Sequence, residues 1–220
     1  MVITIDGPAG SGKSTVSRKL AVRLGVAYLD TGATYRGLAH HAVASGTDLK
    51  DQHALADLAR RIDLRLIPDD SGVRVLISGK DVSAEIRTPE ITALTRHTAG
   101  SALVRGVLVD LQRRIGSQLG DFVTEGRDQG SVVFPDADVK FYLDASPEIR
   151  ARRRTDELLA GGVEADYDEI LQSIIDRDRR DIARRVGPLV KPDGAIVIDT
   201  SDMNVDQVTE AMARAVEERT

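Results

Sequence analysis

Cysteine is missing from all 220 residues, so no disulfide staples this chain and no thiolate can hold a metal. That absence is compatible with a reducing compartment. Tryptophan is missing too, and aromatic residues make up only 3% of the chain. Stacking platforms for single-stranded nucleic acid need more. A formal net charge of -5 leaves no broad basic field for duplex nucleic acid. No apolar run approaches membrane-spanning length, and the first residues enter a strand at once, with no room for a signal peptide. The expectation is a cytoplasmic protein that partners neither nucleic acid nor membrane. What is present, 41% hydrophobic and 30% charged residues, is ordinary for a globular domain. The length suits one α/β domain with insertions better than two independent ones.

One stretch organises the rest. Gly7-Pro8-Ala9-Gly10-Ser11-Gly12-Lys13-Ser14 follows the apolar run Val2-Ile3-Thr4-Ile5 and precedes a helical pattern from about Ser14 to Leu24. Gly-x-x-x-x-Gly-Lys-Ser between a strand and a helix is the phosphate-binding loop. Its glycines let backbone N–H groups surround phosphates, and the helix N-terminus adds to that anion site. Lys13 brings a positive charge to the β- and γ-phosphates, and Ser14 places a hydroxyl where Mg²⁺ would sit. Thr15 adds a second hydroxyl that could reach the α-phosphate side. A Gly-rich turn that merely reverses the chain would not require the full motif in this context. ATP or GTP is the expected ligand.

Beyond the loop, strands and helices alternate, which predicts a parallel sheet with helices on both faces. Helices are expected at about 34–45 and 51–61, the latter with Leu55, Leu58, Ala59 and Ile62 as its apolar stripe. Between about 63 and 82, alternating apolar residues flank Pro68-Asp69-Asp70-Ser71-Gly72, the signature of a hairpin. That hairpin reads as an inserted antiparallel subdomain. Thr88 and Pro89 suit the cap and first position of a helix. Leu103, Val107, Leu111, Ile115 and Leu119 recur every four residues and predict a long helix. Strands are expected at 122–124, 139–143 and 195–198, and helices from Pro147, from Asp168 to Arg185, and from Asn204 to Arg219. Gly161-Gly162 separates two Arg-rich helical stretches.

Three charged clusters accompany the loop. Asp30-Thr31-Gly32-Ala33-Thr34-Tyr35-Arg36 and Gly126-Arg127-Asp128 each follow a strand, where ligands of open α/β sheets bind. Arg177, Asp181 and Arg184 are spaced to share one helix face. Each has a bland alternative: Asp30 or Thr31 as a helix cap, or Arg177 and Asp181 as a solvated surface pair. Taken together, arginines and carboxylates describe a site for a phosphate monoester that carries hydrogen-bonding groups.

At these residues the chain resembles the bacterial-type cytidylate kinases, or CMP kinases, of the nucleoside monophosphate kinase family. The resemblance rests on Ile5-Asp6-Gly7-Pro8, the segment Leu29 to Arg36, Asp81 to Thr88, Gly126 to Ala137, Arg177 through Arg184, and Gly187-Pro188-Leu189. It implies an α/β, P-loop NTPase fold: a central parallel sheet, an inserted antiparallel monophosphate-binding subdomain at about 63–100, and a helical lid at about 152–184, all within one domain spanning 1–220. It implies transfer of the γ-phosphoryl of ATP, with Mg²⁺, to CMP or dCMP by a monomer. Gly7 through Thr15 would hold ATP, with Ser14 on the metal. Arg36, Arg127 and Arg184, helped by Thr31, would bind the acceptor's phosphate. Arg105 and Asp128 would read cytosine, Asp181 and Arg177 would contact the sugar, and Tyr35 would pack near the base. Lys13 with the lid arginines Arg153 and Arg154, and Asp128, would serve catalysis. Either Asp128 or Asp6 would orient metal-bound water.

Four positions depart from the family pattern. Thr31 and Ser131 are mild exchanges that keep a hydroxyl, Gln129 stands where an apolar residue is common, and Arg96 stands where a small hydroxyl residue normally helps recognise the base. The competing expectations are a small kinase acting on UMP or shikimate, and a non-catalytic nucleotide-binding regulator. A GTPase switch is not expected, since no Asn/Thr-Lys-x-Asp guanine signature is present.

Overall fold

In the computed structural model, which describes residues 1–69 and 72–219, the amino-terminal apolar run forms β1 (Val2–Asp6). The helix behind the loop, α1 (Lys13–Leu24), ends where Gly25 takes the left-handed conformation and its N–H donates to the carbonyls of Ala21 and Val22, a glycine C-cap. The chain continues through β2 (Ala27–Asp30), α2 (Thr31–Ala44), α3 (Gln52–Arg61), β3 (Leu64–Asp69), β4 (Gly72–Ile77) and β5 (Lys80–Asp81). A single 3₁₀ turn (Glu85–Arg87) leads into α4 (Pro89–Ala99), α5 (Ala102–Leu119) and β6 (Phe122–Gly126). A π-turn (Gln129–Val133) precedes β7 (Val139–Asp144), α6 (Pro147–Ala160), α7 (Tyr167–Ile182), β8 (Ile196–Asp199) and α8 (Val205–Glu217).

Five strands form the main sheet in the order β2-β6-β1-β7-β8. β7 pairs in parallel with β1, Ile5 opposite Phe141, and with β8, Tyr142 opposite Val197. The expected hairpin is present: β3 and β4 run antiparallel with Leu66 opposite Val75, and β5 completes a separate three-stranded sheet. Asp70 and Ser71, placed in the turn by the sequence, lie outside the described residues.

The chain divides into two compact units, residues 1–25 with 125–220, and 26–124. In the first, α1 packs on α8 and α6 on α7, burying Val16 and Leu20 of α1 and Val208, Met212 and Val216 of α8. In the second, Tyr35, Leu38, Leu55, Val104 and Leu108 build one core.

The expected long helix is present as α5, and of its repeating row Val107 and Leu111 are partly buried against the core. Val104, Leu108 and Gln112 face inward, whereas Leu103 is 44% exposed. A step of four residues overshoots one 3.6-residue turn by about 40°, so a row of five drifts around the helix. Polar side chains also enter this core: Gln112 is wholly buried and donates to Thr34 Oγ1 at 2.8 Å. α2 begins at Thr31, three residues before the expected start, because Asp30 accepts the N–H of Ala33 as its N-cap. α7 ends at Ile182, so Arg184 is not on the helix face it was expected to share with Arg177 and Asp181.

Candidate active site

In the loop after β1, backbone geometry comes first. Gly7 has φ +150°, and a Cβ there would fall 2.1 Å from the carbonyl oxygen of Leu143. Only glycine fits. Gly12 caps α1 in the left-handed conformation, so the loop runs straight into a helix N-terminus. Lys13 is 5% exposed. Its Nζ donates to the carbonyl of Pro8 at 2.6 Å and to Ser11 Oγ at 3.3 Å. Burial pushes its pKa down to about 7, and the nearby charges of Arg127 and Arg177 push the same way against Glu125 and Asp6.

Ser14 Oγ donates to Glu125 Oε1 at 2.7 Å. Glu125 is buried near the end of β6, and the sequence reading did not assign it a role. A hydroxyl paired with a carboxylate at a strand end is a pair of oxygen donors that could hold Mg²⁺ beside a nucleotide. Among the described residues no three His, Cys, Asp or Glu side chains cluster around a possible metal.

Asp6 is wholly buried, and its two oxygens accept the N–H groups of Gln129 and Gly130, both at 2.8 Å. Desolvation raises its pKa to about 6, partly offset by these backbone bonds. Asp6 therefore ties the loop's leading strand to the π-turn that follows Arg127 and Asp128. Asp128 is 4% exposed. Gln129, one of the four departures, is also buried, and its side chain lies where a Cβ on Gly126 would sit, 2.8 Å away. Glycine at 126 makes room for it.

Asp181 is 2% exposed. Its carboxylate accepts from Arg127 Nε at 2.8 Å and from Arg184. Burial alone would raise its pKa, but Arg127 and Arg184, with Arg177, hold it below the usual carboxylate range. The solvated-pair alternative is thus overturned for Asp181, whose partners are Arg127 and Arg184. Arg177 is exposed on α7.

The two expected lid arginines are engaged locally. Arg153 donates to the carbonyls of Thr200 and Met203 and lines a cavity of about 300 Å³ beside the loop, with Ser11, Gly12, Val16, Asn204 and Val208. Arg154 is exposed and pairs with Glu157 at 2.7 Å. A third arginine of α6, Arg150, went unnoticed in the sequence. It is 3% exposed and donates to Ala9 of the loop.

Within the second unit, Arg36 pairs with the capping residue Asp30 at 2.7 Å, so Asp30 caps and binds arginine at once. Thr31 and Tyr35 are buried on α2. The Arg105 guanidinium stands 5.4 Å from the centre of the Tyr35 ring, cation–π geometry. Arg96 is exposed and donates to His97 Nε2.

A glycine loop holding a buried lysine, a hydroxyl paired with a strand-end carboxylate, and arginines around a second carboxylate define a phosphate-loop kinase. Solved structures agree at the level of fold: shikimate kinase from Bacteroides thetaiotaomicron superposes with a TM-score of 0.53 at 12% identity, covering 99% of this chain and 98% of that one. TT1252 from Thermus thermophilus superposes with a TM-score of 0.51 at 18% identity, over 99% and 97%. Sequence relationships are much nearer. The cytidylate kinase family model matches residues 3–218. A cytidylate kinase of Geobacter sp. (strain M21) is 43% identical over all of this chain and 94% of its own length. That of Rhodococcus jostii (strain RHA1) is 44% identical over all of this chain and 96% of its own. The chain belongs to the cytidylate kinase family.

Proposed function

We propose that this protein transfers the γ-phosphoryl group of ATP to CMP and dCMP, releasing ADP with CDP or dCDP. The observation that carries this reading is the buried Lys13 set among the charges of Arg127 and Arg177, in a chain of the cytidylate kinase family. Clustered cations hold one another's charge at a cost that anionic donor and acceptor phosphates relieve.

Gly7 through Thr15 bind the triphosphate. The 300 Å³ cavity beside Ser11 and Gly12 lies within the size range of small-ligand sites and receives adenine. Ser14 and Glu125 would hold Mg²⁺ on the protein side, and the ion would supply charge neutralisation at the phosphate oxygens. Arg127 and Arg184, with Arg36 and Thr31, bind the acceptor's phosphate. Arg177 and Asp181 serve its sugar. Asp128 accepts the exocyclic amino group of cytosine, a donor that uracil lacks, with Arg105 and Tyr35 at the base. Lys13, Arg153 and Arg154 offset charge as the phosphoryl group passes in line. An acceptor phosphate is already ionised near neutral pH, so no dedicated general base is needed.

The inserted segment at about 63–100 acts as the monophosphate-binding part and the helices at about 152–184 as the lid. Gly162, at φ +75° between α6 and α7, supplies the flexible link. The protein works as a cytoplasmic monomer. Among the described residues no helix is long and apolar enough to cross a membrane.

A coupled ADP-release assay with Mg·ATP and CMP, dCMP, UMP, AMP or shikimate tests the reaction. Turnover is expected with CMP and dCMP alone, and Asp128→Ala should lower it about a hundredfold, the worth of a hydrogen bond to a charged group. Comparable turnover with UMP would mean that Gln129 and Arg96 have loosened base selection. Transfer to none of the five would overturn the reading in favour of a regulator. Glu125→Gln should raise the Mg²⁺ concentration for half-maximal rate by about tenfold or more, as read from a Mg²⁺ titration at saturating ATP. An unchanged titration would remove Glu125 from the metal's surroundings.

A further inference from the structure

Arg150 sits in the first turn of α6, where a positive charge opposes the helix dipole. It is nonetheless 3% exposed. A buried guanidinium at an unfavourable helix end persists only if its donors are matched, and those of Arg150 reach in three directions. Nε donates to the carbonyl of Ala145 at 2.8 Å, and Nη1 to the carbonyl of Ala9 at 2.9 Å. Nη2 pairs with Asp178 Oδ2 at 2.7 Å.

Each partner lies on a different piece of the site. Ala145 follows β7 and anchors the start of α6. Ala9 is at the crown of the phosphate loop, beside Gly10, whose φ is +78°. A Cβ on Gly10 would touch the Arg150 stem at 3.4 Å, so the loop rests on this side chain as well as bonding to it. Asp178 is on α7, next to Arg177 and one turn before Asp181. A planar fork with five donors can hold three acceptors in fixed directions at once, and an ammonium cannot.

On the premise that ATP binds at the phosphate loop, as proposed above, we infer that Arg150 is a positioning residue for the donor nucleotide. It fixes the Ala9–Gly10 crown of the loop, and Asp178 of α7 holds it in place. The loop's amides must point inward before any phosphate arrives. With the Ala9 carbonyl held outward by Arg150, its peptide has one orientation, and the entropy of ordering it is removed from binding. Arg150 touches neither the reacting atoms nor the acceptor in this role. Its signature is therefore a change in donor binding with acceptor binding retained.

The test measures the dissociation constant of a fluorescent N-methylanthraniloyl ATP, the KM values for ATP and CMP, and the melting temperature. It compares wild type with Arg150→Met, Arg150→Lys and Asp178→Ala. Arg150→Met should raise the ATP-analogue Kd and the KM for ATP by about tenfold to a hundredfold, the scale of effect when a reacting group is misplaced by an ångström. The KM for CMP should stay near wild type. Arg150→Lys should recover part of the loss, and Asp178→Ala should show a smaller rise in the same donor constants. A lowered melting temperature with unchanged donor constants overturns the inference, because it leaves Arg150 a purely structural role. Equal losses of ATP and CMP binding overturn it too. Should Arg150→Met fail to fold, unchanged donor affinity in the better-exposed Asp178→Ala is enough to reject it. If wild type binds the analogue yet turns over no CMP, the acceptor assignment fails while the Arg150 comparison still stands.

Discussion

Replacing Lys13 with methionine will lower phosphoryl transfer by about a hundred- to a thousandfold and abolish proton uptake on ATP binding. The first effect follows from the proposed role of Lys13 at the end of the glycine loop, where its charge would meet the β- and γ-phosphates. The second follows from its surroundings. In the free protein the ammonium is buried and its pKa is pushed down to about 7, with Arg127 and Arg177 adding to the desolvation. At pH 8 the free side chain is therefore mostly neutral. A bound triphosphate brings several negative charges beside it and restores the proton. Calorimetry at pH 8 in two buffers of different ionisation enthalpy should show uptake approaching one proton in wild type and none in Lys13→Met. ATP affinity should weaken as pH rises above 7 in wild type only. For the free protein the sign is opposite: an unfolded chain keeps the lysine proton up to its ordinary pKa of 10.5, so this group's burden on folding is relieved as pH rises past 7. ATP binding at pH 8 without proton uptake would show that Lys13 is already charged before the nucleotide arrives.

Asp181→Ala should destabilise the fold by about 3–5 kcal/mol, the cost of leaving buried charge unpaired. It should also raise the KM for CMP about a hundredfold, the scale expected when a positioning group is lost. Asp181 is buried between Arg127 and Arg184, and without its carboxylate these guanidiniums repel one another. They would then lose the orientation in which, as proposed, they meet the acceptor's phosphate. Asp181→Asn keeps the shape and loses the charge, so its effects should be intermediate. Because the native carboxyl is held below its usual range, its stabilisation is full above the ordinary value of 3.8 and is lost as pH falls through the folded pKa. Denaturant titrations at pH 7 and in acid should show wild type and Asp181→Ala converging as pH drops. A variant that melts like wild type at pH 7 would show that the arginines hold their places without Asp181.

The readable and unreadable parts of this chain divide by the range of the interactions involved. The loop spacing, the glycine that ends α1 and the Thr88-Pro89 start of α4 are local, and each appears where its residues require. The β3–β4 pairing followed from side chains alternating every second residue, which admits one inward face. The buried row of α5 was not legible, because a helix face is chosen by what packs on it. Gln112 is inward because Thr34 is there to accept its hydrogen bond. Likewise the end of α7 at Ile182 leaves Arg184 beyond the helix, yet Asp181 still receives it.

Sequence alone therefore determined the chemistry available to this protein: a phosphate loop, arginines and carboxylates at strand ends, and an inserted hairpin, all in the order of the cytidylate kinase family. Those features rest on spacing and on backbone conformations that particular residues demand. Tertiary structure decided which charges are paired. Glu125 stands 111 positions from Ser14 and Arg150 stands 141 from Ala9, and no local pattern marks either as a partner of the loop. Only the sheet, which brings the carboxyl-terminal ends of its central strands β6, β1 and β7 together, places them there.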